Sequence, residues 1–247
     1  MPGIENTRYQ VRVAQGPLDV SAAQRLRHLA FGRAAADGLE RDGFDATCTH
    51  FLIEERRSGA LVGCFRMLPL ASGAEIARCY AAQFYDLAAL AAFPGPMAEL
   101  GRFCIHPMAR DPDILRLAWA EMTRHVDRTG VEMLFGCSSF QGTDPTPYHD
   151  SFALLRDRHL APEGRRPGVR AATVFAYAQA LAGHKPDTAQ ALRLMPPLLR
   201  SYLMMGGWVS DHAVIDPQMN TLHVFTGVEI AAIPPMRKRL LRTMAGP

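Results

Sequence analysis

Lysine is almost missing from this chain: Lys185 and Lys238 are the only two, so its basic charge is nearly all arginine. Arginine suits planar carboxylate and phosphate partners, and a bias in codon usage produces the same excess. The formal net charge is only +3, with no strongly basic stripe, which argues against a nucleic-acid partner. Cysteine is sparse and odd in number. Cys48, Cys64, Cys79, Cys104 and Cys137 are widely spaced and form no C-x-x-C pair, which points to free thiols in a reducing cytosol and away from a disulfide framework or zinc site. Met1 to Gln10 lack an apolar signal core. No apolar window of about 18 residues exists, so no segment is expected to span a bilayer. The nine histidines show no H-E-x-x-H spacing, which disfavours a metal site. Ser138 and Ser139 lack a G-x-S-x-G context, which disfavours a hydrolase elbow.

What is present is enough apolar sequence, 48% of 247 residues, for one sizeable core or two small ones sharing an interface. Ser21 with Gln24 reads as a capping box opening a helix through about Ala36. Thr49–Ile53 and Ala60–Leu68 form a hairpin pattern around Ser58-Gly59. Ala74 to Leu90 reads as a broken helix, and Met97–His106 as a strand closed by Pro107. Asp111-Pro112 opens a helix with Ile114, Ala118, Met122 and Val126 on one face and Gly130 as its stop. Glu132–Phe140 is the next strand, Pro147 to His159 a helix, and Val169–Ala178 a candidate strand. Arg193 to Met205 is an apolar helix interrupted by Pro196-Pro197 and ended by Gly206-Gly207. Val209–Ile215 and His223–Ile230 read as a strand pair. With no repeat or linker, the pattern predicts one α/β (α+β) domain over residues 1–247, with a mixed, mostly antiparallel sheet flanked by helices.

The most informative segment is Glu99-Leu100-Gly101-Arg102-Phe103-Cys104-Ile105-His106-Pro107. An acid and an arginine sit in an otherwise apolar strand, on opposite faces if alternation is strict. Gly101 marks a candidate bulge that would turn both toward one cleft; the alternative is an ion pair on an edge strand. A second cluster precedes it. Arg27 and Phe31 lie one helical turn apart, Asp42 and Asp45 follow, and Arg66 lies in the second hairpin strand. Taken singly, the two acids read equally as turn residues and Arg66 as a surface charge. Cys104, in an apolar strand with no basic activator, reads as a small buried hydrophobe.

In combination these residues resemble a known group. Arg27-x-x-x-Phe31, Asp42-x-x-Asp45, Gly63 through Pro69 and Glu99-x-x-Arg102-Phe103 look like the acyl-homoserine-lactone synthases, within the GCN5-related N-acyltransferase superfamily. A resemblance over nearly the whole chain is to the ornithine N-acyltransferases of ornithine-lipid synthesis. It is carried by Glu99 through Pro107, Leu134 through Phe140 with Gly142-Thr143-Asp144-Pro145, His159 through Pro162, Pro196 through Leu199 with Tyr202, Ala213 through Asp216, and Asn220-Thr221. The resemblance implies a GCN5-related fold with an extended C-terminal half. It also implies transfer of a (3-hydroxy)fatty acyl group from acyl carrier protein to the α-amine of L-ornithine, giving lyso-ornithine lipid.

On that reading Glu99 is the general base, and Arg102 either positions it or stabilises the oxyanion. Arg27, Phe31, Asp42, Asp45, Arg66, Phe103, Ser138 and Ser139 bind substrate. No permanent cofactor or metal is expected, since the carrier's phosphopantetheine arm delivers the acyl group. One departure from acetyl-CoA users fits this. The stretch Met108-Ala109-Arg110-Asp111-Pro112-Asp113 has no glycine to cradle a diphosphate. Arg110, Arg116, Arg124 and Arg128 are the expected docking face for an acidic carrier protein. Arg237, Lys238, Arg239 and Arg242, in a basic tail with apolar interleaving, suggest peripheral contact of a cytoplasmic protein with a membrane, or a plain solvated helix. The rival readings are an acyl-homoserine-lactone synthase-like enzyme and a non-catalytic lipid- or carrier-binding protein.

Overall fold

A computed structural model describes residues 8–32 and 36–245. The first seven residues of the Met1 to Gln10 stretch, and residues 33–35 near the expected end of the first helix, lie outside the described residues. In chain order the elements are β1 (Tyr9–Val13), α1 (Pro17–Phe31), β2 (Thr49–Glu55), β3 (Leu61–Leu70), β4 (Tyr85–Asp86), β5 (Met97–Ile105), α2 (Asp113–Thr129), β6 (Met133–Gln141), α3 (His149–Arg158), β7 (Gly168–Val169), β8 (Val174–Phe175), α4 (Tyr177–Ala180), α5 (Thr188–Leu194), α6 (Pro197–Met204), β9 (Trp208–Val209), β10 (Ala213–Asp216), β11 (Thr221–Glu229) and α7 (Pro235–Ala245). The sheet they build is mostly antiparallel and is flanked by helices. The chain separates into two compact units, and it passes between them after Pro69, Glu99, Val131 and Pro234.

The first unit takes the described residues of Met1–Pro69, Leu100–Val131 and Pro235–Pro247. Its strands run in the order β1-β2-β3-β5. The antiparallel register sets Leu52 opposite Cys64 and Val11 opposite Ile53. Gly63 lets β3 lie close to its neighbours: a Cβ there would come within 3.2 Å of the Cys104 carbonyl, a tight contact. Helix α1 starts earlier than the Ser21 capping box predicts. Pro17 occupies its first turn with a preset φ, and Asp19 supplies the negative charge that a helix N-terminus favours. Ser21 is therefore inside the helix, and Gly32 ends it in the left-handed conformation. Helix α2 buries Ile114, Ala118, Met122 and Val126 as the 3.6-residue period predicts, and Gly130 closes it at φ 67°. Helix α7 lies on α2, tied by both nitrogens of an Arg242–Asp127 pair at 2.8 and 2.9 Å.

The second unit takes Leu70–Glu99 and Glu132–Pro234. Here β6 and β11 pair antiparallel over their whole lengths, from Met133 opposite Glu229 to Gln141 opposite Thr221. The order continues through β10 to β8, while β9 pairs with β11. Helices α3 to α6 cover a core of Phe140, Phe152, Tyr177, Leu199 and Val224. The expected helix over Ala74 to Leu90 is three short 3-10 turns and β4. The expected strand over Val169–Ala178 reduces to the two-residue β7 and β8, and Tyr177 then opens α4. The Tyr177 ring is fully buried against Phe152, so helical packing, not strand pairing, claims the apolar end of that run.

A buried imidazole makes this unit sensitive to acid. The Tyr85 hydroxyl donates to the His223 carbonyl at 2.8 Å and lies 3.1 Å from His223 Nδ1. Burial lowers the His223 pKa from 6.5 to about 4. An unfolded chain binds this proton below pH 6.5 and the folded one does not. The stabilisation is therefore present above that pH and lost as pH falls toward 4, a loss of roughly 3 kcal/mol at its limit. Urea unfolding monitored between pH 7 and pH 4 is expected to show a falling midpoint, and His223→Gln is expected to flatten that dependence.

Candidate active site

The residues singled out in the sequence fall into two groups. The larger one, in the first unit, is a network of buried charges. Arg27 extends from α1 with 1% of its surface exposed. It donates from Nε to Glu40 Oε2 at 2.5 Å, from Nη1 to Asp45 Oδ1 at 2.7 Å, and from Nη2 to the Glu40 carbonyl and Asp45 Oδ2 at 2.6 and 3.0 Å. Arg66, from β3, forks onto Asp42 at 2.6 and 2.8 Å and also bonds Asp45. Arg102, from β5, donates to Glu40 Oε1 at 3.1 Å and Asp42 Oδ2 at 2.7 Å. Three arginines thus meet three carboxylates, and the group is formally neutral.

Burial alone would raise the pKa of Asp45. The hydrogen bond and charge of Arg27, the Gln24 amide and the charge of Arg66 override it and hold the carboxyl well below the usual range. Asp42 is likewise lowered against its burial, by Arg66 and Arg102. Sequence reasoning missed Glu40, whose side chain is fully buried and bridges Arg27 to Arg102. The signal for it was charge balance: Asp42 and Asp45 leave three buried arginines with one positive charge uncompensated, and Glu40 is the acid nearest to them in the same loop.

This surrounding changes the expected part of Arg27. With four donor contacts made inside the protein and almost no exposure, it holds the network together and offers no fork to a substrate carboxylate. Asp42, with 20% of its side chain exposed, is the network's most accessible acid. Phe31 packs on the cluster of Ala23, Leu26, Leu52, Cys64 and Cys104 behind Arg27. Phe103 stacks toward Phe65, which stacks on Phe51. The Cys64 and Cys104 thiols lie 3.5 Å apart, and their hydrogen bond together with burial pushes the Cys104 pKa well up, consistent with a packing role.

The irregularity expected at Gly101 falls on the next residue. Arg102 has φ 52°, a left-handed conformation unusual for a side chain of its size, and this breaks the alternation of β5. Strain of that kind, on the order of 1–3 kcal/mol, persists only where surroundings enforce it; the Glu40 and Asp42 bonds do so here. Glu99, three residues earlier, belongs to the second unit and is buried. Its Oε2 accepts from the Tyr80 amide at 2.8 Å and its Oε1 from the Ala81 amide at 2.7 Å. Both amides lie at the start of a 3-10 turn (Ala81–Gln83), so the carboxylate is fixed in orientation. No sequence signal predicted these partners.

Three amides of the loop after β5 bond within the loop. Met108 N–H donates to His106 Nδ1, Ala109 N–H to the His106 carbonyl, and Asp113 N–H to Asp111 Oδ1. That last bond lowers the Asp111 pKa, with smaller help from Tyr9 and Arg8. Of the expected docking arginines, Arg110, Arg116 and Arg128 are exposed and Arg124 half-buried. Arg116 pairs with Asp113 and Arg124 with Glu121, each one turn away. Ser139 is exposed, whereas Ser138 is buried and accepts from Thr226 at 3.0 Å. Among the described residues there is no cluster of metal-ligating side chains, and no helix is long and apolar enough to cross a membrane.

Comparison with known proteins places this geometry. A family model described as an Acetyltransferase (GNAT) domain matches residues 26–120, the stretch that carries the charge network and β5. An L-ornithine N(alpha)-acyltransferase of Rhodobacter capsulatus is 34% identical over 239 residues, covering 91% of both chains. The chain belongs to the L-ornithine N(alpha)-acyltransferase family. It is an N-acyltransferase with a GNAT-like fold. The relative in Agrobacterium fabrum is 27% identical over 91% of this chain and 82% of its own. Among solved structures, the CoA-dependent acyl-homoserine lactone synthase BjaI shares the fold, with a TM-score of 0.50, 16% identity, and 95% and 87% coverage of the two chains.

The network generates a prediction for this N-acyltransferase. Replacing Arg27 by Met leaves Glu40 and Asp45 buried without their main cation, which is expected to cost roughly 3–5 kcal/mol of stability. Thermal unfolding of Arg27→Met should show that loss with or without substrate, where a pure substrate-binding arginine would change the unfolding temperature little.

Proposed function

We propose that this enzyme transfers a (3-hydroxy)fatty acyl group from an acyl carrier protein thioester to the α-amine of L-ornithine, giving lyso-ornithine lipid. The observation that carries the acceptor is the 34% identity, over nine-tenths of both chains, with a relative named for that reaction. In the reaction, the amine nitrogen attacks the thioester carbonyl, the C–S bond breaks, and the amine proton ends on the departing thiolate. Glu99 is the proposed base for the first proton, directly or through one water. Its two amide donors hold the carboxylate in a fixed orientation.

Asp42, Arg66 and Arg102 are the proposed acceptor-facing edge of the network. Ornithine brings a carboxylate for the arginines of this edge and an ammonium for Asp42. Arg27, Asp45 and Phe31 serve the acceptor indirectly, by holding that edge. Phe103 and Ser139 stay in the proposal as substrate contacts, and Ser138 as support from beneath.

Carrier-borne phosphopantetheine as the donor is supported by the loop after β5, which has no glycine, commits the Met108, Ala109 and Asp113 amides internally and carries Asp111, an acid that a diphosphate would not favour. Arg110, Arg116, Arg124 and Arg128 are the proposed docking face. The bonds of Arg116 and Arg124 to their neighbouring acids are surface pairs, worth roughly 0–1 kcal/mol, and exchange readily with a carrier's acids. Helix α7 is the proposed membrane-facing element. Arg237, Lys238 and Arg239 lie along it, with Met236 77% and Leu240 48% exposed, while Arg242 is engaged by Asp127. The protein would then act from the cytoplasm at the membrane surface.

The test compares acyl carrier protein with the matching acyl-CoA at equal acyl length, in low and high salt. The carrier is expected to give the higher kcat/KM, falling with ionic strength and with Arg116→Glu, while the KM for ornithine is unchanged. Equal, salt-insensitive use of acyl-CoA would refute the donor. In the same assay Glu99→Gln is expected to lower kcat by roughly 10²–10⁴ with folding intact.

A further inference from the structure

The second unit holds a buried polar atom that the protein around it does not satisfy. His223, on β11, is 2% exposed, and among the described residues its Nε2 has no hydrogen-bond partner. Its other nitrogen lies 3.1 Å from the Tyr85 hydroxyl, and its ring makes a T-shaped contact with Phe84, centroids 5.0 Å apart. Buried polar groups are nearly always paired, and an unpaired one costs free energy that a ligand can recover. His212 Nε2 is in the same condition, but His212 lies in the bend before β10, where no strand register sets it beside an open surface.

His223 does lie beside one. The β6–β11 register sets it opposite Ser139. Residues opposite one another share a face of the sheet, with Cβ atoms about 4.5–5.5 Å apart. On that face of β6, Cys137 is half-buried and Ser139 and Gln141 are exposed. The cover over β11 therefore ends one strand from His223. Glu99 belongs to the same unit. Its carboxylate is held by the Tyr80 and Ala81 amides, and Phe84 and Tyr85, at the far end of the same run, contact His223. One 3-10 turn, Ala81–Gln83, separates the two ends, a rise of about 6 Å.

The surroundings decide the class of occupant. Phe84, Tyr85 and Phe225 make the neighbourhood aromatic. An ion would have to shed its water among these rings. A neutral hydroxyl carried on a hydrocarbon chain suits both features: the chain lies against the rings, and the hydroxyl donates or accepts, so it pairs with Nε2 in either tautomer.

We propose that His223 Nε2 receives the 3-hydroxyl of the acyl donor, so that this residue sets a preference for hydroxylated chains. The inference rests on the acyl-donor reading above and adds to it the residue that reads the hydroxyl. That hydroxyl stands on the second carbon beyond the reacting carbonyl, and the run from the Glu99 amides to His223 is correspondingly short. Ser139, proposed above as a substrate contact, then lies along the path of the chain. Entry requires the partly exposed Phe84 ring to turn, a fast motion for a side chain near the surface.

The experiment measures kcat/KM for acylation of L-ornithine from two acyl carrier protein thioesters of equal chain length, one with the 3-hydroxyl and one without. It compares the wild-type protein with His223→Leu, which removes the ring nitrogens, and His223→Gln, which restores a polar group near Nε2. Circular dichroism and unfolding temperature confirm that each variant is folded. Wild type is expected to favour the hydroxylated donor by roughly 5- to 100-fold. His223→Leu is expected to bring the two donors within about threefold of each other, and His223→Gln to recover part of the difference. A wild-type preference below about threefold, or the full preference retained in folded His223→Leu, would overturn the assignment and leave the acyl-transfer reading standing. If the variants do not fold, ¹⁵N-histidine spectra of the wild type decide. Carrier protein bearing an amide-linked, non-transferable chain is expected to move the signal of the buried imidazole only when that chain is hydroxylated; the same movement with both chains, or none, would overturn the assignment. No acylation of ornithine from either thioester would overturn both readings.

Discussion

The first unit of this enzyme depends on one arrangement, the neutral cluster of Arg27, Arg66 and Arg102 with Glu40, Asp42 and Asp45. Six ionised groups in or near a core are unfavourable singly, because desolvation is not repaid by one partner. They persist here because nearly every oxygen and nitrogen is shared. Arg27 spans Glu40 and Asp45, Arg66 spans Asp42 and Asp45, and Arg102 spans Glu40 and Asp42. The arrangement is a closed ring of alternating sign, and removing any member exposes two others. Its members come from α1, the loop before β2, β3 and β5, so it also fixes those elements relative to one another inside their unit.

The ring accounts for two local features. Arg102 keeps a left-handed backbone where its guanidinium meets Glu40 and Asp42, an irregularity inside β5 three residues after Glu99. The loop between α1 and β2 has little regular structure, yet its acids are ordered by the arginines they meet and not by a helix or strand. On the other unit, Glu99 is oriented by two amides at the start of a 3-10 turn. Of the two acids most central to the proposed chemistry, Asp42 is thus held by the guanidiniums of Arg66 and Arg102, and Glu99 accepts from two backbone amides.

Much of the fold was legible in the sequence because it rests on period. Ile114, Ala118, Met122 and Val126 repeat at helical spacing between Pro112 and Gly130, and they pack as that spacing demands. The hairpin of β2 and β3 follows from two apolar runs about one turn. Period failed where composition was ambiguous. Ser21-x-x-Gln24 has the form of a cap, but Pro17 starts the helix sooner and Gln24 is spent on Asp45. Val169–Ala178 is apolar enough for a strand, yet burial of Tyr177 in the α3–α6 layer ends pairing after two residues. The arginines and acids of the candidate site were visible as residue types, and the resemblance supplied their grouping. Their mutual pairing was not visible, because Arg27, Glu40, Arg66 and Arg102 are brought together by tertiary structure. Two partners of Glu99 are backbone amides, which no side-chain pattern encodes.

The central claim is acylation at the α-nitrogen of ornithine, and the product itself tests it. Ornithine carrying ¹⁵N only at the α position is incubated with the enzyme and an acyl carrier protein thioester, and the product is examined by proton–nitrogen correlation. The account predicts that the labelled nitrogen appears as an amide N–H coupled to the acyl carbonyl carbon. A labelled nitrogen that remains an amine, with the acyl group on the unlabelled δ-nitrogen or on no amine at all, would contradict it.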